Sequence, residues 1–333
     1  MAFVGMATPI VLPWPLKNSL EAAARALLEP SEGSYIDFSR PAGEAALTSP
    51  ASVSWRVFKN PLSLFIGGVT AVIMELAEPR VRAGVWEHTN FRANPIQRLR
   101  RTGLAAMMTI YAARSTAEAM IAGVRRRHDA VAGTTPSGEA YCANDPELLT
   151  WVYATAAYGF LQAYHAYVQP LSSSERDCYY AEGVPAARLY GAPNAPTSEA
   201  ELEMLFDASV ERLERSDVVL EFLAIMNNAP LLPLPLRPAQ HLLVRAAVAL
   251  TPRWMRTILG LNEQGLQPWA AELVRQVGAL ADRLVLESNP AVQACRRMRL
   301  AADYLYVPHS SRPSSGPEPR HSGAAKITGD GGL

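Results

Sequence analysis

The sequence predicts an all-α fold, a single globular multi-helix domain organised around two long apolar segments. Three observations carry this. Apolar residues recur at helical spacing in segment after segment. Asn-Pro, Asp-Pro and Ser-x-x-Glu steps stand where those segments begin, as caps do. No run alternates long enough to make a sheet, and no internal repeat is present.

The chain divides into an N-terminal arm (1–50), a helical domain (51–308) and a tail (309–333). Residues 1–16 hold Pro9, Pro13 and Pro15 and read as irregular; Asn18 or Ser19 then caps a short helix, LEAAARALL, which stops before Pro30. Residues 30–50 are rich in Gly, Pro and Ser and read as a loop, ending on Ser49–Pro50 as a new helix start. Asn60–Pro61 repeats that signal. Leu62, Phe65, Ile66, Val69, Val72, Ile73 and Leu76 follow at helical spacing and end near Pro79. This helix is apolar around much of its circumference, which places it centrally. Gly67–Gly68 either lets another element approach closely or marks a kink. Glu75 is the one charge on the segment. It is exposed on a thin polar side or held at a site, and the rarity of buried charges favours exposure.

Asn94–Pro95 starts the next helix, expected to run unbroken to Gly133, with that glycine as a left-handed cap. Residues 133–144 read as a loop. Asp145–Pro146 opens a helix through Leu148, Leu149, Val152, Ala156, Phe160 and Tyr164, stopped by Pro170. Ser172 with Glu175, and Ser198 with Glu201, have the spacing of capping boxes. The second opens a helix from Glu199 to about Asn227. APLLPLPLRP, Ala229–Pro238, is too proline-rich for helix or central strand and reads as a rigid connection. Helices follow at Ala239–Leu250, Pro252–Leu261, Pro268–Leu286 and Ala291–Tyr304. The tail after His309 lacks apolar residues to bury and is expected to be disordered.

Composition removes several function classes. Basic and acidic residues balance at 31 each, without the basic excess of a nucleic-acid binder. Cys142, Cys178 and Cys295 form no C-x-x-C, so no zinc ribbon or thioredoxin-like motif is present. Three scattered cysteines suit a reducing compartment, hence an expected cytoplasmic location. No apolar run reaches the length of a membrane span; Leu62–Leu76 is broken by its glycine pair and carries Glu75. The apolar N-terminus lacks a basic n-region and is broken by prolines, unlike a secretory signal, while a peripheral membrane contact there stays open. G-x-S-x-G, the Walker A loop, G-x-G-x-x-G and H-E-x-x-H are absent, and a glutamate stands three residues before a histidine only once, Glu318 before His321 in the tail, without the second such step that a di-iron site requires.

One constellation remains. Ile121, Val124, His128 and Val131 fall at steps of three, four and three, which sets His128 in an apolar helical stripe. Arg125 stands one turn earlier, and Arg98, Arg101 and Thr102 share a face at i, i+3 and i+4. A lone histidine in such a stripe is commonly a core residue bonded to a carbonyl or carboxylate. Arginines at helix ends commonly form a solvated face, or favour the helix dipole near its C-terminus. The same set also meets the needs of a haem site: one imidazole for iron, and cations for the propionates. Met107, Met108 and Met120 offer an adaptable lining or ordinary core packing. His88 reads as a turn or surface residue, His165 as partly buried near a helix end and His241 as opening a helix; His309 and His321 belong to the tail.

Read together, several stretches resemble one family. They are ELAEPRVRAGVWEHTNFRANPIQRLRRT (75–102), RRRHDAVAG (125–133), GEAYCANDPELLTWVYAT (138–155) and PLSSSERDCYYAE (170–182), with a weaker match in TPRWMRTILGL (251–261). The resemblance is to the MpaB-type oxygenases, which include ER-bound fungal oxygenases and the rubber oxygenase, and it spans roughly residues 55 to 300. It implies a buried haem b with His128 as iron ligand, in an R-x-x-H step from Arg125. It also implies that an R-x-x-K-T step beside the haem corresponds to Arg98, Arg101 and Thr102, with arginine replacing lysine. Two departures are visible: Trp151–Val152–Tyr153 where many members read W-V-H, and Glu78 where members often have histidine. The expected activity is oxygenation by O2 of an apolar small molecule, in the family often near a carbon–carbon double bond. The alternative is a haem carrier or sensor without turnover, whose second ligand would come from His165 or His88. No catalytic base, electron donor or oligomeric state is assigned.

Overall fold

A computed structural model describes residues 36–89, 91–231 and 237–307, with positions 9, 10, 18 and 21 besides. The predicted arm helix apart from Glu21, half of the prolyl connection (232–236) and the tail from 309 lie outside the described residues. Among the described residues the chain is helical nearly throughout, as its sequence predicts. The strands are one short hairpin and a single bridge between Ile10 and Leu284.

Helix α1 (Val53–Phe58) is capped by Ser52, not by Ser49 as its Ser-Pro step suggests. A carboxylate from far along the chain reinforces this start: Glu182 accepts the amides of Val53 and Ser54, each at 3.0 Å. Asn60 caps α2 (Pro61–Glu75) as expected, accepting the amides of Leu62 and Ser63. A helix the spacing does not announce follows, α3 (Pro79–Glu87). Its cap is Glu78, whose carboxylate takes the Val81 amide at 2.8 Å and also holds Arg80 at 2.7 Å. The departure at position 78 therefore has a local use, the start of a helix.

The helix expected from Asn94 to Gly133 is two helices, α4 (Pro95–Tyr111) and α5 (Arg114–His128). Ala112 and Ala113 leave helical geometry with ψ of 159° and 144°. Nothing in two alanines breaks a helix; a distant segment does. The Arg114 amide bonds Ala45 O at 2.8 Å, and the Ser115 amide and hydroxyl bond Glu44. These partners satisfy the new helix start from outside. At the far end α5 stops at His128, and Gly133 is not a cap. It lies in β1 (Ala132–Thr134), opposite Tyr141 of β2 (Ala140–Cys142). A Cβ there would sit 2.6 Å from the Tyr141 hydroxyl, so packing demands the glycine.

Asp145 caps α6 (Pro146–Tyr167), and the Ser172–Glu175 capping box opens α7 (Ser173–Tyr190), which ends on Gly191 at φ 97°. The second expected box is half made. Ser198 takes the Glu201 amide, but the Glu201 carboxylate turns to the amide and hydroxyl of Thr197. The helix expected over 199–227 is split into α8 (Glu199–Ser209) and α9 (Asp217–Asn228), with the Glu214 amide bonded to Ala77 O between them. Helices α10 (Arg237–Leu250), α11 (Arg253–Leu259), α12 (Pro268–Ala281) and α13 (Pro290–Arg297) complete the order. The last two stop short of their expected ends. Arg299, at φ 58°, turns the chain after α13.

Helices α2 and α6 form the centre and pack along their length. Asp282 fixes their relative direction. It pairs with Lys59 at 2.9 Å and accepts from Tyr164 at 3.3 Å, so the start of α2 lies by the end of α6. The two helices are antiparallel, and the end of α2 meets the beginning of α6. Arg80, just past α2, reaches Glu147 at 3.5 Å in keeping with this. Gly67 and Gly159 face each other where the helices cross. A Cβ on Gly67 would stand 2.7 Å from Gly159 O, and one on Gly159 would strike Gly67 O in turn. All three cysteines are free. Among the described residues no single helix is long and apolar enough to cross a membrane; α2 and α3 meet that test only jointly, across a 113° bend.

Adjacent glycines should answer the same substitution with opposite signs. Gly67→Ala forces two backbones apart and should cost about 3 kcal/mol or more. Gly68→Ala meets only Phe160, at 3.9 Å. It should stabilise by about 0.5–1 kcal/mol through lost backbone freedom in the unfolded chain. Denaturant unfolding of both variants checks this; equal effects would contradict the crossing geometry.

Candidate functional site

Three helix termini converge beside the start of α6. Glu75 is the last residue of α2, Arg98 stands in the first turn of α4 and His128 closes α5. Arg98 links the other two. Arg98 opposes the rise in the Glu75 pKa, and it also depresses that of His128. Burial is the larger cause in every case. It pushes Glu75 up to about 7, lowers Arg98 below the usual guanidinium range and lowers His128 below the usual imidazole value. Yet all three side chains stay partly accessible. Groups that are deep enough to lose hydration and still reachable line a recess, not a packed core.

Arg98 is held from its own helix. Its Nη1 donates to Thr102 Oγ1 at 2.5 Å, and that hydroxyl donates to Arg98 O at 3.0 Å. Arg98 Nε is buried without a partner, so one donor of the fork remains free for an anion. Arg101 is exposed and close enough to depress Arg98 further. Arg125 goes elsewhere. Its guanidinium lies beside Gly191, where an added Cβ would be 3.7 Å away, at the C-terminal end of α7. There the dipole of α7, not of its own helix, favours the cation. The geometry thus groups His128 with Arg98, Arg101 and Thr102, and sets Arg125 to one side.

His128 Nδ1 is buried, and no backbone carbonyl or carboxylate takes the bond that a core histidine makes. With its pKa lowered the ring is neutral at neutral pH, the form that binds a metal. Among the described residues no three His, Cys, Asp or Glu side chains cluster as a metal cage. A single imidazole beside free arginine donors fits iron that brings its other in-plane ligands in a macrocycle bearing carboxylates. The residues present are therefore compatible with haem.

The recess has an apolar side. Val124 and Met120 stand one and two turns before His128 on the same face of α5, both partly accessible. Tyr190 of α7 reaches Met120 Sδ at 3.9 Å and Thr109 Oγ1 at 2.9 Å. Tyr153, which replaces the histidine of the W-V-H pattern, packs over Gly183 and is deep enough for its pKa to be raised strongly by burial. Met107 and Met108 are buried in the core, the packing alternative for that pair. The other candidate ligands are engaged: His165 Nδ1 accepts the Leu171 amide at 2.9 Å, and His88 Nε2 meets the Tyr141 hydroxyl at 3.1 Å. His165 also lies about 18 Å along α6 from Tyr153, too far to share the site.

Sequence reasoning leaves Glu75 unassigned, although a solitary charge in an apolar helix is itself a signal. It gives Tyr190 and Thr109 no role, since an ordinary tyrosine and threonine carry no spacing that points to a site.

Comparison with known proteins gives one result. A family model described as "ER-bound oxygenase mpaB/B'/Rubber oxygenase, catalytic domain" matches residues 55–283, the span from α1 past the end of α12. No curated protein and no solved structure matches the chain.

The Glu75 carboxyl sets a pH dependence of stability. Its folded-state pKa of about 7 lies above the ordinary 4.5. Stability linked to it is therefore full below about pH 4.5 and lost as pH rises through 7. Glu75→Gln removes this loss. The variant should gain about 1–3 kcal/mol over the parent at pH 8, and the gain should vanish near pH 4. Paired urea melts at the two pH values measure it, and a constant difference would place Glu75 in water.

Proposed function

The chain belongs to the family of ER-bound oxygenase mpaB/B' and rubber oxygenase catalytic domains, and from that membership we propose a haem b-dependent oxygenase that uses O2 on an apolar small molecule. The observation that carries the haem reading is His128: a partly accessible imidazole, held neutral by burial, beside the guanidinium of Arg98, whose Nε is buried without a partner.

Haem b, when bound, supplies iron that binds and activates O2, chemistry no side chain here provides. His128 would hold that iron. Arg98 and Arg101 would pair with the propionates, Arg98 through the fork that Thr102 orients. Arg125 is kept in the proposed set for its place one turn before His128, and would reach a propionate by leaving Gly191. Val124, Met120 and the ring faces of Tyr153 and Tyr190 would exclude water and receive an apolar substrate. Glu75 is suited to hold or release a proton at its carboxyl, because a group titrating near 7 does either at neutral pH. A carbon–carbon double bond as the point of attack is the substrate class the family suggests.

Protein purified after expression with added haem should show a Soret band, and its reduced form should bind CO at an open position. His128→Ala should lose the band and most bound haem while keeping its helical circular dichroism. A colourless parent protein, or a variant with an unchanged spectrum, would remove the haem reading. A six-coordinate low-spin spectrum with no CO binding would select the carrier instead. Oxygen uptake with terpenoid, polyketide and aromatic probes then identifies substrate.

A further inference from the structure

Asn144 stands just before the cap of α6, and none of the roles above uses it. Its amide nitrogen is fully committed. Nδ2 donates to Arg125 O at 3.1 Å and to Asp129 Oδ1 at 2.6 Å, so both hydrogens point back into the end of α5. That network leaves no choice about which way the amide faces, since Oδ1 in place of Nδ2 would meet two acceptors. The carbonyl oxygen is consequently aimed the other way. It is buried and without a partner. The Nδ1 of His128 is also buried and without a partner. Asn144 lies near enough to His128 to act on its ring, and its anchors on Arg125 O and Asp129 Oδ1 hold it against the last turn of α5, which His128 closes. The second ring nitrogen of His128 is not shut in this way.

From this juxtaposition we propose that Asn144 is a positioning residue for His128: its Oδ1 accepts a hydrogen bond from Nδ1–H, fixing the tautomer that leaves the Nε2 lone pair facing the recess. The bond answers both orphaned atoms at once, and each would otherwise cost the desolvation of a buried polar group. It also turns the ring, because an imidazole tied at Nδ1 cannot rotate about its Cβ bond without breaking the tie. Asp129 and Arg125 O act through Asn144 by holding its amide. The functional part of the proposal rests on His128 as the ligand of haem iron. An acceptor on the far nitrogen of a ligating imidazole raises its basicity and stabilises the more oxidised metal.

Two measurements test this separately from the haem reading. In haem-free protein with nitrogen-15 histidine at pH 8, His128 should be neutral with its proton on Nδ1. Asn144→Ala should shift it toward the commoner Nε2–H form. A parent ring already protonated on Nε2 overturns the proposal whatever the protein does with haem. In haem-loaded protein Asn144→Ala should lower the iron–histidine stretching frequency, raise the reduction potential and weaken haem binding about 10–100-fold. Asn144→Asp makes the acceptor anionic but sets an oxygen against Asp129 Oδ1, so it is combined with Asp129→Asn, which restores a donor there; in that pair frequency and potential should move in the opposite directions. A purely structural residue would move both variants the same way. Failure to take up haem at all would remove the proposed function, while the tautomer measurement would still decide the hydrogen bond.

Discussion

The approach of two backbones at Gly67 and Gly159 sets the geometry on which the rest depends. With no side chain on either helix at the crossing, α2 and α6 close to a distance that any Cβ would forbid. Asp282 ties the start of one to the end of the other and fixes them antiparallel. The level of the crossing then decides where α2 stops. It delivers Glu75 beside the first turns of α6, where α4 and α5 bring Arg98 and His128. A shift of one turn would move the carboxylate by about 5 Å and separate it from the arginine that opposes its neutralisation.

The site is a set of ionisable groups held against their own solvation. Burial raises the carboxylate, lowers the guanidinium and lowers the imidazole, and their mutual charges only adjust this. Each of these groups gives up hydration where it stands, a cost that its neighbours only partly offset. A dianionic macrocycle with a central metal would answer two of these tensions together. Its carboxylates would take the free donors of Arg98, and its metal would take the open nitrogen of His128. Glu75 would remain as the group whose proton is loosely held near neutral pH.

Much of this was legible in the residues. Asn60, Asp145 and Ser172 announce their helices because a cap is a local interaction, complete within four residues. Of the apolar stripe expected through His128, Ile121 and Val124 share its helix, whereas Val131 lies past the helix end. What could not be read was whatever a distant segment decides. Glu44 and Ala45 break the helix expected to join Arg98 to His128, and so fold the two ends of that stretch into one site instead of holding them a helix length apart. Gly133 reads as a cap because glycine commonly is one; its actual reason, the Tyr141 ring, lies across a hairpin too short to show an alternating pattern. Arg125 reads as a partner of His128 from its spacing, but its side chain follows the end of α7. Glu75 carries a signal, a lone charge in an apolar helix, but most lone charges are exposed and the sequence alone does not show that this one is not.

Everything proposed for the site turns on one coordinate bond at the end of α5. A crystal structure of the protein carrying its native chromophore, with anomalous diffraction at the iron edge, tests it most directly. The account requires the iron peak at coordination distance from His128 Nε2, with the macrocycle's carboxylates turned toward the start of α4. An iron peak bound elsewhere, or a His128 ring packed where no macrocycle could lie, would contradict it.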